Sequence, residues 1–361
     1  MASPEALPQQ IRRVIDANLN RTREGLRVLE DISRLVLNDA ILSEKLKAIR
    51  HGLLKGGPNL AGELITARDS EGDVGADTIV PGQEAEKELP LVVVANSSRV
   101  QESLRTLEEM SKTPGAASVL DPEVLRKARF SLYTIERELL SRLTRQDKAR
   151  YLSGLHAIID TQALKGRSHL EAARQVVSGG AKTIQLRDKL GSKGDLLPIA
   201  RELKALCAEH DVLFIVNDYL DLALAADADG LHLGQEDLPV STARKLLPID
   251  KIVGCSVTTV AQAVAAAASG ADYVAVGSMY PTPSKEKAIV VGLERLREIR
   301  QAVGLPLVAI GGITQDNAAA VIAAGADSIA VIGAILGAES PEEAARGIVA
   351  GIETEHGETD R

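Results

Sequence analysis

Tryptophan is absent from this sequence and phenylalanine occurs only twice, so aromatic residues make up 2% of its 361 positions. The core must therefore be aliphatic, which suits Val/Ile strands covered by Ala/Leu helices. The same scarcity leaves few rings on which single-stranded nucleic acid could stack. A basic surplus is missing too. The net charge is -8, so neither nucleic acid nor an anionic membrane is an expected partner. Only Cys207 and Cys255 represent cysteine. They lie far apart, which suits buried thiols, and two thiols cannot build a zinc cluster. No apolar run reaches the roughly 18 residues of a membrane helix. The opening segment MASPEALPQQIRR lacks the apolar core of a secretory signal, so a cytoplasmic protein is expected. No GxxxxGK[ST] sequence occurs, which excludes P-loop nucleotide chemistry.

What is present falls into two halves with different periods. From Leu155 onward, short β-rich segments alternate with Ala/Leu/Glu helical stretches. The expected strands are Leu155–Asp160, Lys182–Arg187, Val212–Asn217, Gly230–Gly234, Lys251–Ser256, Asp272–Val276, Leu307–Ile310 and Ser328–Ile332. Several are apolar almost throughout, as strands buried on both faces are. Alternating βα units imply parallel strands with helices outside. Eight of them in roughly 200 residues fit a closed (β/α)8 TIM barrel better than an open flavodoxin-like sheet. The fold class is therefore α/β, with a mainly α-helical N-terminal domain ahead of the barrel. The expected domains are residues 1–148 and 149–361, with the boundary near Thr144–Tyr151.

Residues 1–148 follow helical spacing, interrupted at Gly56-Gly57-Pro58, in the segment from Asp69 to Gly75, and at Pro114-Gly115. Only Leu91–Val94 suggests a strand. This half contains a repeat: ANLNRTREGLRVLEDISR (17–34) aligns without gaps on ANSSRVQESLRTLEEMSK (95–112). Asn18/Asn96, Arg21/Arg99, Glu24/Glu102, Arg27/Arg105 and Glu30/Glu108 coincide. Asn18 and Asn96 suggest helix N-caps. Charges three apart ordinarily decorate an exposed helix face. Their duplication raises a second reading, in which the two helices pair around a quasi-twofold axis and an Asn/Arg/Glu cluster lines a cleft.

In the barrel half, polar residues gather just after the strands, at the C-terminal rim where barrel active sites form. Gln185 and Arg187 share one strand face, and Lys189 follows; together they can clamp an anion. Asp218 and Asp237, at neighbouring strand ends with no His or Cys beside them, suit a hard cation such as Mg²⁺. The loop from Gly277 to Lys285 is rich in hydroxyls and ends in a cation, as a ligand-covering flap would. Gly311-Gly312 after the seventh strand and Gly333 after the eighth occupy a recurrent phosphate position in barrels. His232 sits in a strand pattern and reads as packing or as a support for ligand-touching groups.

QLRDK, VNDYLDLALAADADGLHLGQEDLP, GCSVTT, YPTPSK and AIGGI, in this order, resemble thiamine phosphate synthase over residues 151–355. The resemblance implies condensation of hydroxymethylpyrimidine diphosphate with thiazole phosphate, giving thiamine phosphate and pyrophosphate. It implies that Gln185-Leu186-Arg187-Asp188-Lys189 and Asn217 hold the pyrimidine diphosphate, and that Asp218 and Asp237 bind Mg²⁺. Ser256 would meet the pyrimidine, and Thr282-Pro283-Ser284-Lys285 the phosphates. Gly312, Ile332 and Gly333 would complete the phosphate site. Arg187, Lys285, Asp218 and Asp237 would carry the catalysis. The family often has Ser where this chain has Gly333, which removes one hydroxyl donor. The N-terminal half resembles the short, non-ribokinase class of hydroxymethylpyrimidine phosphate kinase, which would make ATP its partner. Its candidate residues are Asn18, Arg21, Glu24, Arg27, His51, Arg68, Asp69, Asn96 and Arg99. The alternatives are a barrel that binds thiazole phosphate without catalysis or as a tautomerase, and an N-terminal module for structure or dimerisation. A homo-oligomer stays open.

Overall fold

A computed structural model describes residues 7–53, 62, 64–67, 88–282 and 289–359. The chain divides into two compact units, Met1–Thr144 and Arg145–Arg361.

The first unit is helical. Its long helices are α1 (Gln9–Asp31), α2 (Ala40–Gly52), α3 (Leu89–Met110) and α4 (Pro122–Ala149), whose residues from Arg145 onward belong to the second unit, and α1 continues into a π-helical turn at Ile32–Val36. The repeated sequences are α1 and α3, packed on one another. Ile15, Leu19, Leu26 and Leu29 of α1 recur at helical spacing, as do Val93, Val100, Leu104 and Leu107 of α3, and all are buried. Gly25 lies at the crossing: a Cβ there would sit 2.5 Å from Val100 Cγ2 and 3.2 Å from the Asn96 carbonyl. Asp39 caps α2, accepting the Ile41 and Leu42 N–H groups, each at 3.0 Å.

Two local expectations are corrected. Asn18 and Asn96 are not N-caps but lie inside α1 and α3. Each donates from Nδ2 to the carbonyl one turn back, Val14 and Val92, at 2.9 Å. The repeat begins mid-helix because the flanking residues are helical too. Leu91–Val94 is not a strand but the first turns of α3, where Pro90 suits the helix start and Val93 packs in the core. Tertiary packing overrides its β-branched propensity.

The second unit is a closed parallel barrel in the order β1 to β8. The strands are β1 Gly154–Asp160, β2 Thr183–Arg187, β3 Leu213–Asn217, β4 Gly230–Leu233, β5 Ile252–Val257, β6 Tyr273–Gly277, β7 Leu307–Ile310 and β8 Ser328–Val331. The two-residue period sorts side chains cleanly. Leu155, Ala157, Ile159, Ile184, Leu186, Phe214 and Val216 face the helical layer, whereas Ile158, Ile215, Tyr273, Val308 and Ala330 fill the interior. Tyr273 crosses that interior because Gly254 opposite has no side chain; a Cβ there would lie 2.0 Å from the ring.

The N-terminal end of the barrel carries a recurring brace. Asp229, Asp272 and Asp327 each precede or begin an even-numbered strand. Their carboxylates accept the N–H groups of Phe214 (3.0 Å), Val253 (2.7 Å) and Leu307 (2.7 Å), at the start of the preceding odd strand. Each is also paired with a cation: Lys204 for Asp229, Arg145 and Arg244 for Asp272, and Arg300 for Asp327. These contacts tie neighbouring strands together at the end opposite the C-terminal rim. Cys207 and Cys255 are free and buried. Among the described residues, no helix is long and apolar enough to cross a membrane.

Candidate active site

At the C-terminal rim, β1, β2 and β3 deliver Asp160, Arg187 and Asn217 as their last residues. Asp160 and Arg187 are register partners. Asp160 is buried; one oxygen caps the next helix through Ala163 N–H at 2.9 Å, and the other accepts from Arg187 Nη1. A partly exposed guanidinium is therefore held against a fixed carboxylate, with its remaining donors available to an anion. Gln185, two residues back on the same face, is buried between His156 and Asn217. Its Oε1 lies 2.9 Å from His156 Nε2 and its Nε2 2.8 Å from Asn217 Oδ1.

Leu186 is out of phase and packs beneath the helices. Its side chain is therefore kept from the rim by strand alternation. Asp188 organises its own loop, accepting from Leu190 and Gly191 N–H at 2.6 Å each. Burial pushes its carboxyl up, but those bonds and the Thr161 hydroxyl outweigh burial and hold it below the usual range.

Asp218 follows β3 in a left-handed conformation (φ 62°), which Asp tolerates better than most residues. Its N–H donates to the His232 carbonyl at 2.8 Å. Its carboxylate meets both Lys189 and Asp237. Burial, then the neighbouring Asp237, raises the Asp218 carboxyl, and Lys189 opposes them. Asp237 turns back to accept the Gly234 N–H at 2.7 Å. Two carboxylates thus converge where their repulsion favours a cation. Among the described residues no third His, Cys, Asp or Glu joins them. That donor set fits Mg²⁺, which takes one or two carboxylates and fills its shell with water and phosphate oxygens.

His232 lies beneath Ser256. Its Nε2 is 2.8 Å from Ser256 Oγ and its Nδ1 2.9 Å from the Tyr273 hydroxyl. Burial depresses its pKa to about 4, so the ring is neutral. Gln235 fixes the same turn, donating to the Ser256 carbonyl at 2.7 Å.

Across the rim, the segment after β6 packs on the segment after β7. Met279 and Tyr280 N–H groups donate to the Ile310 and Gly311 carbonyls, each at 2.9 Å. Gly311 and Gly312 (φ 102° and 66°) permit this approach: Cβ atoms there would lie 2.0 Å from Ser278 Oγ and 2.6 Å from the Pro281 carbonyl. Thr282 is half-buried beside this segment. Ile332 precedes the short helix Gly333–Leu336, and Gly333 is exposed. Pro283, Ser284 and Lys285 lie outside the described residues.

In the helical unit, Asn18, Arg21, Glu24, Arg99, Glu102, Ser103 and Thr106 line one cleft of about 440 Å³. The charges of the repeat separate into two sets. Glu30 pairs with Arg27 (3.8 Å) and Arg50 (3.0 Å), and its counterpart Glu108 pairs with Arg105 (3.2 Å) and Arg129 (2.6 Å). Arg21, Glu24, Arg99 and Glu102 have no ion-pair partner among the described residues. Arg27 is thus engaged outside the cleft, also contacting Asp31 at 3.3 Å. His51 is exposed near the end of α2 and does not line the cleft, and Asn96 is buried in α3. Arg68 and Asp69 lie outside the described residues.

His156, Asp160 and Tyr273 join the site without being among the residues expected from the sequence. Asp160 carried a usable signal, since it ends β1 as Arg187 ends β2. His156 and Tyr273 looked like strand interior, and only barrel closure brings them to the polar chains.

Residues 155–335 match the family described as thiamine monophosphate synthase, and residues 13–138 match the ThiD2 family. The chain is similar to thiamine-phosphate synthase of Thermosynechococcus vestitus, 39% identical over 345 residues, covering 95% of each chain. It is 38% identical over 339 residues to the enzyme of that name from Nostoc punctiforme, covering 93% of each. Among solved structures, thiamine phosphate pyrophosphorylase from Pyrococcus furiosus is 40% identical, with a TM-score of 0.54, covering 58% of this chain and 98% of that one.

Proposed function

The chain belongs to the thiamine monophosphate synthase family and carries a ThiD2-family domain ahead of its barrel, and from that membership we propose how it works as a thiamine-phosphate synthase. The substrates are hydroxymethylpyrimidine diphosphate and hydroxyethylthiazole phosphate. The bond between the exocyclic methylene and the diphosphate oxygen breaks, and the diphosphate keeps the electron pair. The electron-rich aminopyrimidine stabilises the cation left on the methylene. The thiazole nitrogen then forms the new C–N bond, giving thiamine phosphate and pyrophosphate. No protein nucleophile takes part.

One observation supports this reading above the others: Asp218 and Asp237 converge beside Lys189 on the rim that also presents Arg187. A magnesium ion held by Asp218 and Asp237 would supply the divalent charge that lets diphosphate depart. Arg187, held by Asp160, would grip the diphosphate with its free donors, and Lys189 would exchange Asp218 for a phosphate oxygen. Asn217 and Ser256 would orient the pyrimidine. The turn at Gly312 and the chain at Ile332-Gly333 would offer backbone N–H groups to the thiazole phosphate. By the same family resemblance, Thr282 and Ser284 would hold the thiazole phosphate and Lys285 would reach the diphosphate. Pyrophosphate release from the full-length protein tests the reading: it should require both substrates and Mg²⁺ together. Release that is independent of thiazole phosphate would contradict it.

For the helical unit, the reading is phosphorylation of hydroxymethylpyrimidine phosphate by ATP, producing the diphosphate that the barrel consumes. The quartet Arg21, Glu24, Arg99 and Glu102 in its cleft, without ion pairs among the described residues, supports this. Arg21 and Arg99 are suited to phosphate oxygens, and Glu24 and Glu102 to orienting them or to a nucleotide's metal.

A further inference from the structure

Inside the barrel, a hydrogen-bond chain runs across β1, β2 and β3 with a fixed direction. His156 is 1% exposed, Gln185 3% and Asn217 8%. His156 Nε2 faces Gln185 Oε1, and Gln185 Nε2 faces Asn217 Oδ1. An amide oxygen only accepts, so His156 must carry its proton on Nε2. Its Nδ1 is then a bare lone pair, buried with no hydrogen-bond partner among the described residues. Burial, reinforced by His232, depresses the imidazole to about 3 and keeps it neutral with a single proton. Asn217 Oδ1 is occupied, and its NH₂ group has no acceptor among the described residues.

The opposite direction is chemically possible. A proton on Nδ1 would let Nε2 accept from a flipped Gln185. Gln185 Oε1 would then accept from Asn217, which would present an oxygen to the rim. That arrangement buries an N–H with no acceptor, whereas the observed one buries only an unused lone pair, which costs less.

We propose that His156 is a positioning residue: by donating from Nε2 it fixes the polarity of both amides, so that Asn217 offers N–H donors to an acceptor atom of the bound pyrimidine diphosphate. The inference rests on the reading that Asn217 meets that substrate. It assigns the imidazole a role that needs neither proton transfer nor contact with the reacting atoms. It also explains why this interior position, beside Ile158 and Tyr273 in a mainly aliphatic filling, holds a histidine, where Leu would fill similar space without ordering Gln185.

Two measurements on the full-length protein test it. Histidine-selective ¹⁵N NMR, with the His156 signal assigned by its loss in His156→Gln, should show a neutral ring protonated on Nε2 at pH 7. A ring protonated on Nδ1, or an imidazolium, would overturn the proposal. In steady-state kinetics, His156→Leu should raise the KM for pyrimidine diphosphate by about ten-fold or more, the worth of one lost hydrogen bond. The KM for thiazole phosphate should stay within about two-fold, a split that general damage would not give. His156→Gln restores an N–H donor near the position of Nε2 and should recover most of the loss. Normal kinetics in His156→Leu, alongside a raised KM in Asn217→Ala, would overturn the inference and leave the substrate reading standing. If Asn217→Ala itself leaves the KM unchanged, the substrate reading fails and the positioning role falls with it, while the NMR result still decides the direction of the chain. Should His156→Leu not fold, His156→Gln and the NMR signal carry the test.

Discussion

The rim carboxylates are the residues on which the synthase reading turns. Asp218→Ala and Asp237→Ala should each lower synthase turnover by about 10²-fold or more, because diphosphate departure loses several kcal/mol of charge stabilisation. The barrel should stay folded, since neither group supports the aliphatic layers. Turnover at limiting Mg²⁺ decides the point, and a near-parental rate would refute the metal assignment. The buried histidines make a separate prediction about pH. His156 and His232 have folded pKa values of about 3 and about 4, both below the ~6.5 of an unfolded histidine. Between those values the unfolded chain binds more protons than the folded one. Their contribution to stability is therefore fully present above pH ~6.5 and is lost as pH falls through that window. Each histidine can cost up to about 1.4 kcal/mol per pH unit there. Denaturant titrations should show the unfolding free energy dropping between pH 6 and 5, before most carboxylates titrate. His156→Gln should flatten the slope, and a level profile in the parent protein would contradict the burial of neutral rings.

At the scale of elements, strands were far more legible than helix ends. Both-face burial gives apolar runs with a polar residue at the rim, and Leu307–Ile310 reads identically in sequence and structure. Gln185 and Arg187 could be placed on one face because strand alternation is local. Their partners could not: Asp160 and His156 join them only through the register of β1 with β2. In the helical unit, the repeat was visible but its register within the helices was not. Asn18 and Asn96 resemble caps, yet helix continues on both sides of each. The crossing of α1 and α3 depends on Gly25. Gly25→Val should destabilise the helical unit by about 1–3 kcal/mol through overpacking, read as a lower denaturation midpoint. Adding Val100→Ala should recover part of the loss. Additive effects in that cycle would show that the two positions are not in contact. The cleft makes the complementary prediction. Arg21→Ala and Arg99→Ala should each abolish ATP-dependent phosphorylation while leaving helicity intact, since neither arginine has an ion pair among the described residues. The synthase step, supplied with preformed diphosphate, should proceed at its parental rate. If both variants unfold, and the parent protein phosphorylates nothing, the repeat is a packing device.

At the scale of the whole molecule, the proposal is consecutive chemistry on two units of one chain. On that proposal the product of the helical unit would be the substrate of the barrel, and both would handle it through its phosphates with Arg and acidic side chains. Similarity to a thiamine-phosphate synthase extends across both units, covering 95% of the chain. The most direct measurement supplies the full-length protein with hydroxymethylpyrimidine monophosphate, ATP, Mg²⁺ and thiazole phosphate, and quantifies thiamine phosphate, ADP and pyrophosphate. The account predicts that all three accumulate in equal amounts. It predicts that Arg99→Ala stops all three, that preformed diphosphate then restores thiamine phosphate and pyrophosphate but not ADP, and that Asp218→Ala stops thiamine phosphate but not ADP. Thiamine phosphate formed only from preformed diphosphate, with no ADP from the parent protein, would contradict it.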